Sequence, residues 1–264
     1  MRNIIFAIYE FLKEIMALIH SLEKNGNILF KYRGQIPVVL FILAIPVIYY
    51  TDYSRVITSL NSYYVYTGIS ILLSVIGLVI RGITVGRSAK HTSGRNTQEQ
   101  VAEVLNSTGI YSTVRHPLYL GNYFMWIGIV AFTFNPYFII SVSLAYWIYY
   151  ERIMFAEERF LERKFGDEYI EWSKKHPAFW PSFKNYIKTD IPFSLKTVLR
   201  REYSGVLATV IGFVFVAILR DYFNMPEFKL NMNYVWVLAV TIVITLILRS
   251  LKHYTSVLNE DDRS

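Results

Sequence analysis

The chain has 264 residues, of which 53% are hydrophobic and 17% are aromatic, more apolar surface than an ordinary soluble domain buries. It has no cysteine, which excludes disulfides, thiolate nucleophiles and cysteine-ligated metal centres. The formal charge of +7 could indicate nucleic acid, but in a membrane chain the distribution of Lys and Arg between loops is more informative. We therefore expect a membrane protein that binds neither nucleic acid nor a metal.

The N-terminal segment, residues 1–35, is predicted to contain an amphipathic helix from Asn3 to Leu22. Its apolar residues recur at helical spacing on one face, whereas Glu and Lys side chains occupy the other face. This pattern is typical of a helix that lies in the membrane interface, and equally of a helix packed along a bundle.

Six apolar runs follow, and each is predicted to form a transmembrane helix. They are Ile36 to Tyr50, Tyr64 to Val85, Leu118 to Phe134, Pro136 to Tyr150, Tyr203 to Leu219 and Tyr234 to Leu251. Asn135-Pro136 separates the third run from the fourth and favours the tight corner of a helical hairpin. The sequence therefore predicts an all-α integral membrane protein with about six transmembrane helices.

Loop charges predict the orientation of these helices. With the N-terminus in the cytosol, the basic residues of the outer loops are only Arg55, Arg220 and Lys229. The large cluster from Arg152 to Arg201 then lies inside, as the positive-inside rule requires. We expect both termini in the cytosol. The long inner segments, 86–117 and 151–202, hold enough polar residues for a site that binds a charged small molecule.

Two polar clusters flank the predicted hairpin, so they should meet at one membrane boundary. The clusters are Gly109-Ile110-Tyr111-Ser112-Thr113-Val114-Arg115-His116-Pro117-Leu118-Tyr119-Leu120-Gly121 and Glu157-Glu158. Pro117 can open a helix because its missing N–H costs nothing there, which leaves Arg115 and His116 at a helix N-terminus that favours anions. Glu157 and Glu158 supply negative charge. A cofactor with a cationic group and an anionic tail would suit this site.

A third cluster completes an ordered series of motifs. The series is Gly109-x-Tyr111-x3-Arg115-His116-Pro117-x-Tyr119-x-Gly121, Glu157-Glu158, Phe165-Gly166-x2-Tyr169 and Pro177-x3-Pro181. It resembles the isoprenylcysteine carboxyl methyltransferase and phospholipid methyltransferase superfamily over residues 84–183. The resemblance implies a methyltransferase-like core at 86–183, preceded by two spans at 36–85 and followed by a two-span extension at 184–264. It also implies S-adenosylmethionine as methyl donor, held between cytosolic helix ends and covered by the C-terminal aromatic segment.

The resemblance also implies roles for individual residues. The cofactor-binding residues would be Asn96, Glu103, Asn106, Tyr111, His116, Pro117, Leu118, Tyr119 and Glu157, with Glu157 at the cofactor's ammonium group. The candidate catalytic residues are Arg115, His116, Glu158 and Arg152. One departure is Ala178, because many relatives carry an Arg after the proline. An acceptor contact made there by other members is therefore absent or replaced in this chain.

The charges around the predicted site bear on the methyl acceptor. An ionised oxygen needs no proton removal, whereas an amine needs a base such as His116 or Glu158. The candidate acceptor-binding residues are Arg81, Arg87, His91 and Arg95, a basic set that favours an anionic group over a cationic one. The same residues could instead be inner-face anchors. The polar stretch from Thr92 to Glu103 also resembles that of bacterial members of the superfamily, some of which methylate lipid phosphates. This resemblance implies a bacterial inner membrane, and as acceptor a membrane lipid with a phosphate, such as lipid A. The carboxylate of a prenylated cysteine is the alternative, and an ethanolamine lipid comes third.

Two other classes of protein stay open at this point. Membrane sterol reductases carry a similar Arg-His-Pro-x-Tyr pattern and use NADPH, so hydride transfer is the competing enzymatic hypothesis. A helical scaffold without a cofactor is the other, since a lone Arg-His-Pro at a span boundary is more often an anchor than a site. Binding of S-adenosylmethionine or of NADPH would distinguish the three.

Overall fold

The computed structural model describes residues 2–88, 100, 102–224 and 227–260, with side chains from residue 16 onward. Within these ranges the regular elements are helices. They are α1 (Arg2–Tyr32), α2 (Ile36–Tyr50), α3 (Tyr53–Val56), α4 (Leu60–Gly86), α5 (Pro117–Ala131), α6 (Pro136–Phe165), α7 (Asp167–Ser173), α8 (Leu195–Asn224) and α9 (Met232–Tyr254), with a 3₁₀ turn at Gly109–Ser112. The predicted all-α fold is confirmed.

Of the helices described, three are long and apolar enough to cross a membrane, namely α4, α8 and α9. The bent pair Met16–Tyr32 and Ile36–Tyr50, which meet at 79°, adds a fourth if it counts as one span. The chain is therefore an all-helical integral membrane protein. The predicted count of six spans is not confirmed, because α2 and α5 have 15 residues each, fewer than the ~20 that cross a bilayer unaided.

Several predicted helix boundaries differ from the structure, in which α4 spans Leu60–Gly86, α5 ends at Ala131, α6 continues to Phe165, α8 spans Leu195–Asn224 and α9 spans Met232–Tyr254. Helix α1 continues ten residues past the predicted end at Leu22, to Tyr32. Most side chains of its predicted apolar face precede residue 16 and so lie outside the described side chains. The prediction that Arg220 lies in an outer loop is wrong, because the residue lies inside α8 and is only 6% exposed. Its guanidinium lies 4.4 Å from the ring centroid of Phe132 and 4.7 Å from that of Phe134. These cation–π contacts let α8 continue through a charged residue.

Local sequence accounts for where the membrane helices begin. Ser59 and Ser62 form a reciprocal capping box at the start of α4, with each hydroxyl accepting the other's backbone N–H at 3.1 and 3.0 Å. Asn135 caps α6, since its Oδ1 accepts the N–H of Phe138 at 3.0 Å. Pro136 follows at the first helical position, where no N–H is needed. The predicted hairpin of α5 and α6 therefore forms with its corner at Asn135.

Helices α4 and α5 pack closely because small residues face each other along their contact. A Cβ on Gly77 would overlap the backbone N of Met125 and lie 2.5 Å from the carbonyl oxygen of Gly121. A Cβ on Gly128 would overlap the hydroxyl of Ser74. That hydroxyl donates to the carbonyl of Met125 at 2.7 Å, across the two helices. Such small-residue contacts are the usual means of close helix packing in membranes.

A second close contact brings α1 against α6. A Cβ on Gly26 would overlap the carbonyl oxygen of Arg152 and lie 2.7 Å from the Cβ of Ala156. The contact places the end of α1, with Phe30 and Arg33, beside the half of α6 that carries Glu157. Beneath this region lies a buried apolar cluster that includes Phe30, Val114, Tyr119, Leu120, Tyr146, Tyr150, Ile153, Met154 and Phe179. The packed side chains of this cluster support the polar residues of the neighbouring helix ends.

Candidate active site

The loop before α5 is held in place by the aromatic, proline-containing segment that follows α7. The backbone N–H of Gly109 donates to Ile187 at 2.8 Å, that of Arg115 to Pro177 at 2.9 Å, and that of His116 to Ala178 at 3.2 Å. Gly109 has φ +62°, a left-handed conformation that favours glycine. These bonds order both segments, so Arg115 and His116 are fixed at the N-terminus of α5.

Arg115 and His116 share one carboxylate on the neighbouring helix. Glu158 of α6 accepts from Arg115 Nη1 at 2.9 Å with one oxygen and lies 2.9 Å from His116 Nε2 with the other. Side-chain exposure is 19% for Arg115, 5% for His116 and 24% for Glu158. The hairpin thus brings the two polar clusters together, as the sequence predicts.

Glu157 lies on the other side of the His116 ring, with its Oε2 3.5 Å from Nδ1. Burial opposes protonation of His116, but the two carboxylates outweigh it and raise its pKa to about 8. Burial likewise opposes ionisation of Glu157, yet His116 and the Tyr119 hydroxyl hold the pKa of Glu157 below its usual value. At neutral pH the site therefore contains an imidazolium between two carboxylates.

A cavity of about 220 Å³, here called the central cavity, opens above these residues. It lies between the ends of α1, α4, α5, α6, α7 and α8. Its lining includes Phe30, Arg33, Arg81, Asn106, Tyr111, Arg115, His116, Pro117, Leu118, Tyr119, Asn122, Glu157, Trp172, Arg201 and Glu202. Small-molecule pockets usually enclose ~300–1,000 Å³, so a cofactor-sized ligand would extend beyond its mouth.

Several buried polar atoms of the lining residues have no hydrogen-bond partner among the described residues. They are Glu157 Oε2, Arg115 Nε and Trp172 Nε1. A buried polar atom without a partner is costly, and in a cavity it indicates a missing ligand or water. The acceptor atom of Glu157 suits an ammonium group, whereas the donors of Arg115 and Trp172 suit anionic or carbonyl oxygens. The residues present therefore fit a ligand that carries both kinds of charge, as S-adenosylmethionine does.

The structure brings most of the predicted residues together. Asn106, Tyr111, Arg115, His116, Pro117, Leu118, Tyr119, Glu157 and Arg81 all line the central cavity. Glu158 contacts Arg115 and His116 and lines a second cavity instead. Burial and the nearby charge of Glu157 raise the pKa of Tyr111, so its hydroxyl stays neutral. Their roles in binding and catalysis stay predictions.

Other predicted site residues do not line the central cavity, or lie outside the described part of the chain. Arg152, Arg87 and Glu103 are not among the described residues that line the central cavity. The backbone of Arg152 faces Gly26 of α1, because α1 packs against that side of α6. Arg87 directly follows α4, and both Arg87 and Glu103 are exposed. Asn96, His91 and Arg95 lie outside the described residues.

The cavity also contains residues that the sequence analysis missed. Asn122 follows the predicted motif directly and lies in an apolar run, where a polar residue is a functional candidate by default. Arg33, Trp172, Arg201 and Glu202 resembled interfacial residues in sequence, so only the folded arrangement assigns them to the cavity. In the described part of the chain, no group of three or more His, Cys, Asp or Glu side chains is arranged to hold a metal ion.

The fold and the cavity define a class: a helical membrane protein with a charged ligand site at the ends of its helices. The phospholipid methyltransferase family model matches residues 63–168, which include Arg81, the whole Arg115–Gly121 motif, Glu157 and Glu158. The match supports the resemblance of this part of the chain to the isoprenylcysteine carboxyl methyltransferase and phospholipid methyltransferase superfamily. The resemblance stated from the motifs is confirmed.

Two of the three relatives described next are named as methyltransferases, and the third is named for metal resistance. The chain is 33% identical over 120 residues to the protein-S-isoprenylcysteine O-methyltransferase of Xenopus laevis. These 120 residues cover 42% of this chain and 42% of the relative. The chain is 34% identical over 112 residues to the enzyme of that name from Saccharomyces cerevisiae, covering 39% and 47%. It is 34% identical over 118 residues to nickel-cobalt-cadmium resistance protein NccN of Alcaligenes xylosoxydans xylosoxydans, covering 44% and 53%. The chain thus spans about half the length of these relatives or less. No solved structure matches it.

Proposed function

We propose that this protein is a membrane methyltransferase that uses S-adenosylmethionine to methylate a carboxylate oxygen of a membrane-embedded acceptor. The observation that carries this proposal is Glu157 Oε2, a buried oxygen that lies 3.5 Å from His116 Nδ1 and accepts no hydrogen bond from the described residues, in a cavity with several Arg side chains. The superfamily and the names of the two isoprenylcysteine relatives support methyl transfer over the hydride transfer of a sterol reductase.

Each part of the cavity suits one part of the cofactor. Glu157 would bind the ammonium group, and the aromatic faces of Tyr119 and Trp172 would stabilise positive charge. Arg115, whose Nε lacks a partner among the described residues, would bind the cofactor's carboxylate. When bound, S-adenosylmethionine supplies a methyl group on a sulfonium, which a nucleophilic oxygen can displace in line.

The protonation state of the site favours an anionic acceptor over an amine. With a pKa of about 8, His116 is mostly protonated at neutral pH, so it is a poor general base there. Glu158 already accepts from Arg115 and contacts His116. An amine would have to lose a proton to one of these two groups. A carboxylate or phosphate needs only positioning and charge stabilisation, which Arg side chains provide.

The choice between the two anionic acceptors depends on the relatives. The lipid phosphate expected from the sequence has no support from the comparisons, whereas two relatives are named for isoprenylcysteine O-methylation. We therefore prefer a carboxylate on a lipid-modified cysteine, the alternative in the sequence analysis. The apolar surfaces of α4, α8 and α9 support this proposal, because a lipid-modified acceptor would share the membrane that these helices can cross.

Calorimetry on the purified protein in detergent tests the cofactor. We expect saturable binding of S-adenosylmethionine and none of NADPH. Binding of NADPH alone would replace this proposal with a hydride-transfer enzyme. Binding of neither ligand by a folded preparation would contradict any enzyme of the two classes.

A further inference from the structure

Helix α8 contributes to the central cavity although it lies outside the family-matching region, residues 63–168. Arg201 and Glu202, at the end of α8 that faces the site, both line the cavity. Glu202 is 6% exposed, which is unusual for a carboxylate unless it is paired.

Glu202 makes a two-point ion pair with Arg81 of α4. Arg81 Nε donates to Glu202 Oε2 at 2.7 Å, and Arg81 Nη2 donates to Glu202 Oε1 at 2.9 Å. Arg81 Nη1 donates to Oδ1 of Asn122 in α5 at 2.5 Å. The Arg81 side chain is 16% exposed and that of Glu202 is 7% exposed. Two parallel bonds and a third from another helix fix the plane of the guanidinium.

The guanidinium of Arg81 has further N–H groups that do not bond to Glu202 or Asn122. An Arg side chain has five N–H groups, and Glu202 and Asn122 use three of those of Arg81 within the described part of the chain. Two N–H groups therefore stay available at a residue that lines the cavity. An oxyanion bound there would meet N–H donors on a guanidinium that Glu202 and Asn122 already hold in place, so less entropy is lost on binding.

We infer that Arg81 binds the anionic oxygen group of the acceptor, and that Glu202 of α8 is a positioning residue that orients Arg81 for this contact. The inference rests on the proposed function and deepens it. It gives α8 a part in acceptor binding, because Glu202 of α8 sets the direction of the acceptor-binding Arg81.

Glu202→Gln tests the inference because the amide keeps the size of the side chain but cannot accept two N–H groups through two oxygens. We expect the acceptor KM to rise at least about tenfold, as for one lost charged hydrogen bond, while the Kd for S-adenosylmethionine stays within about twofold. The acceptor is a soluble S-isoprenylcysteine with a free carboxylate. Glu227→Gln, which removes an exposed carboxylate in the loop before α9, is the matched control. An unchanged or lower acceptor KM in Glu202→Gln overturns the inference.

A charge exchange separates positioning from a purely structural ion pair. The double variant Arg81→Glu with Glu202→Arg keeps an ion pair between α4 and α8 but moves the guanidinium to the other helix. We expect it to recover thermal stability relative to Arg81→Glu alone while its acceptor KM stays at least about tenfold above wild type. Recovery of both quantities overturns the inference, and if the double variant does not fold, Glu202→Gln decides. Failure of wild type to bind S-adenosylmethionine or to methylate the acceptor would instead refute the proposed function, before any variant is compared.

Discussion

Glu157→Gln should weaken cofactor binding through loss of charge, with little change in shape. A charged hydrogen bond contributes ~1.5–3 kcal/mol, equivalent to roughly 10- to 150-fold in Kd. Because the Glu157 side chain is 31% exposed, solvent screening places the expected loss near the lower limit, about tenfold. Calorimetric titration with S-adenosylmethionine measures it. Glu151→Gln, an exposed carboxylate on the same helix that does not line the central cavity, should leave the Kd within about twofold.

The same substitution has a consequence that needs no ligand. Glu157 is one of the two carboxylates that raise the pKa of His116, so Glu157→Gln should lower that pKa below the wild-type value of about 8. NMR titration of the imidazole measures it. A wild-type Kd for the cofactor together with an unchanged His116 pKa would refute the placement of Glu157 between His116 and the ligand.

Three further predictions concern pH, packing and topology. His116 has a pKa of about 8 in the folded chain against about 6.5 unfolded, so its contribution to thermal stability should be complete below about pH 6.5 and lost as pH rises through 8; a His116→Gln variant should lack this dependence. Gly77→Ala should destabilise by ~1–3 kcal/mol through overpacking of α4 against α5, whereas Gly68→Ala, with no atom within 4 Å of its added Cβ, should not; a thermal shift in detergent that is equal for both would contradict the close contact. If α9 crosses the membrane, a protease-cleavable tag after residue 264 and one within 227–231 should lie on opposite sides of it. We expect protease on the cytosolic side to cleave only the C-terminal tag. Cleavage of both tags from one side would exclude the predicted orientation.

Much of the fold follows from local sequence. Helix α2 has the predicted bounds, and α6 begins at Pro136, because proline and asparagine define helix starts within a few residues. Helix α1 is longer than predicted because its last turns depend on a distant contact, that of Gly26 with α6. A pattern along one helix carries no information on such a partner.

In the candidate site too, some residues are predictable from local sequence and others depend on distant contacts. Arg115, His116 and Glu158 are near the ends of one predicted hairpin, so the sequence indicates that they meet, and the structure brings them together. Arg81 and Glu202 are 121 residues apart, and each stands at the boundary of an apolar run. There a charged residue resembles an interfacial anchor, so sequence alone predicts neither their ion pair nor the contribution of α8.

Transfer of a labelled methyl group from S-adenosylmethionine to S-isoprenylcysteine measures the proposed chemistry most directly. We expect label in the acceptor with a free carboxylate, none in its preformed methyl ester, and release of the label as methanol in mild alkali, since carboxyl methyl esters hydrolyse there. Lipid phosphate and ethanolamine lipid serve as parallel acceptors. Alkali-stable label in either lipid, with none in S-isoprenylcysteine, would contradict carboxylate methylation.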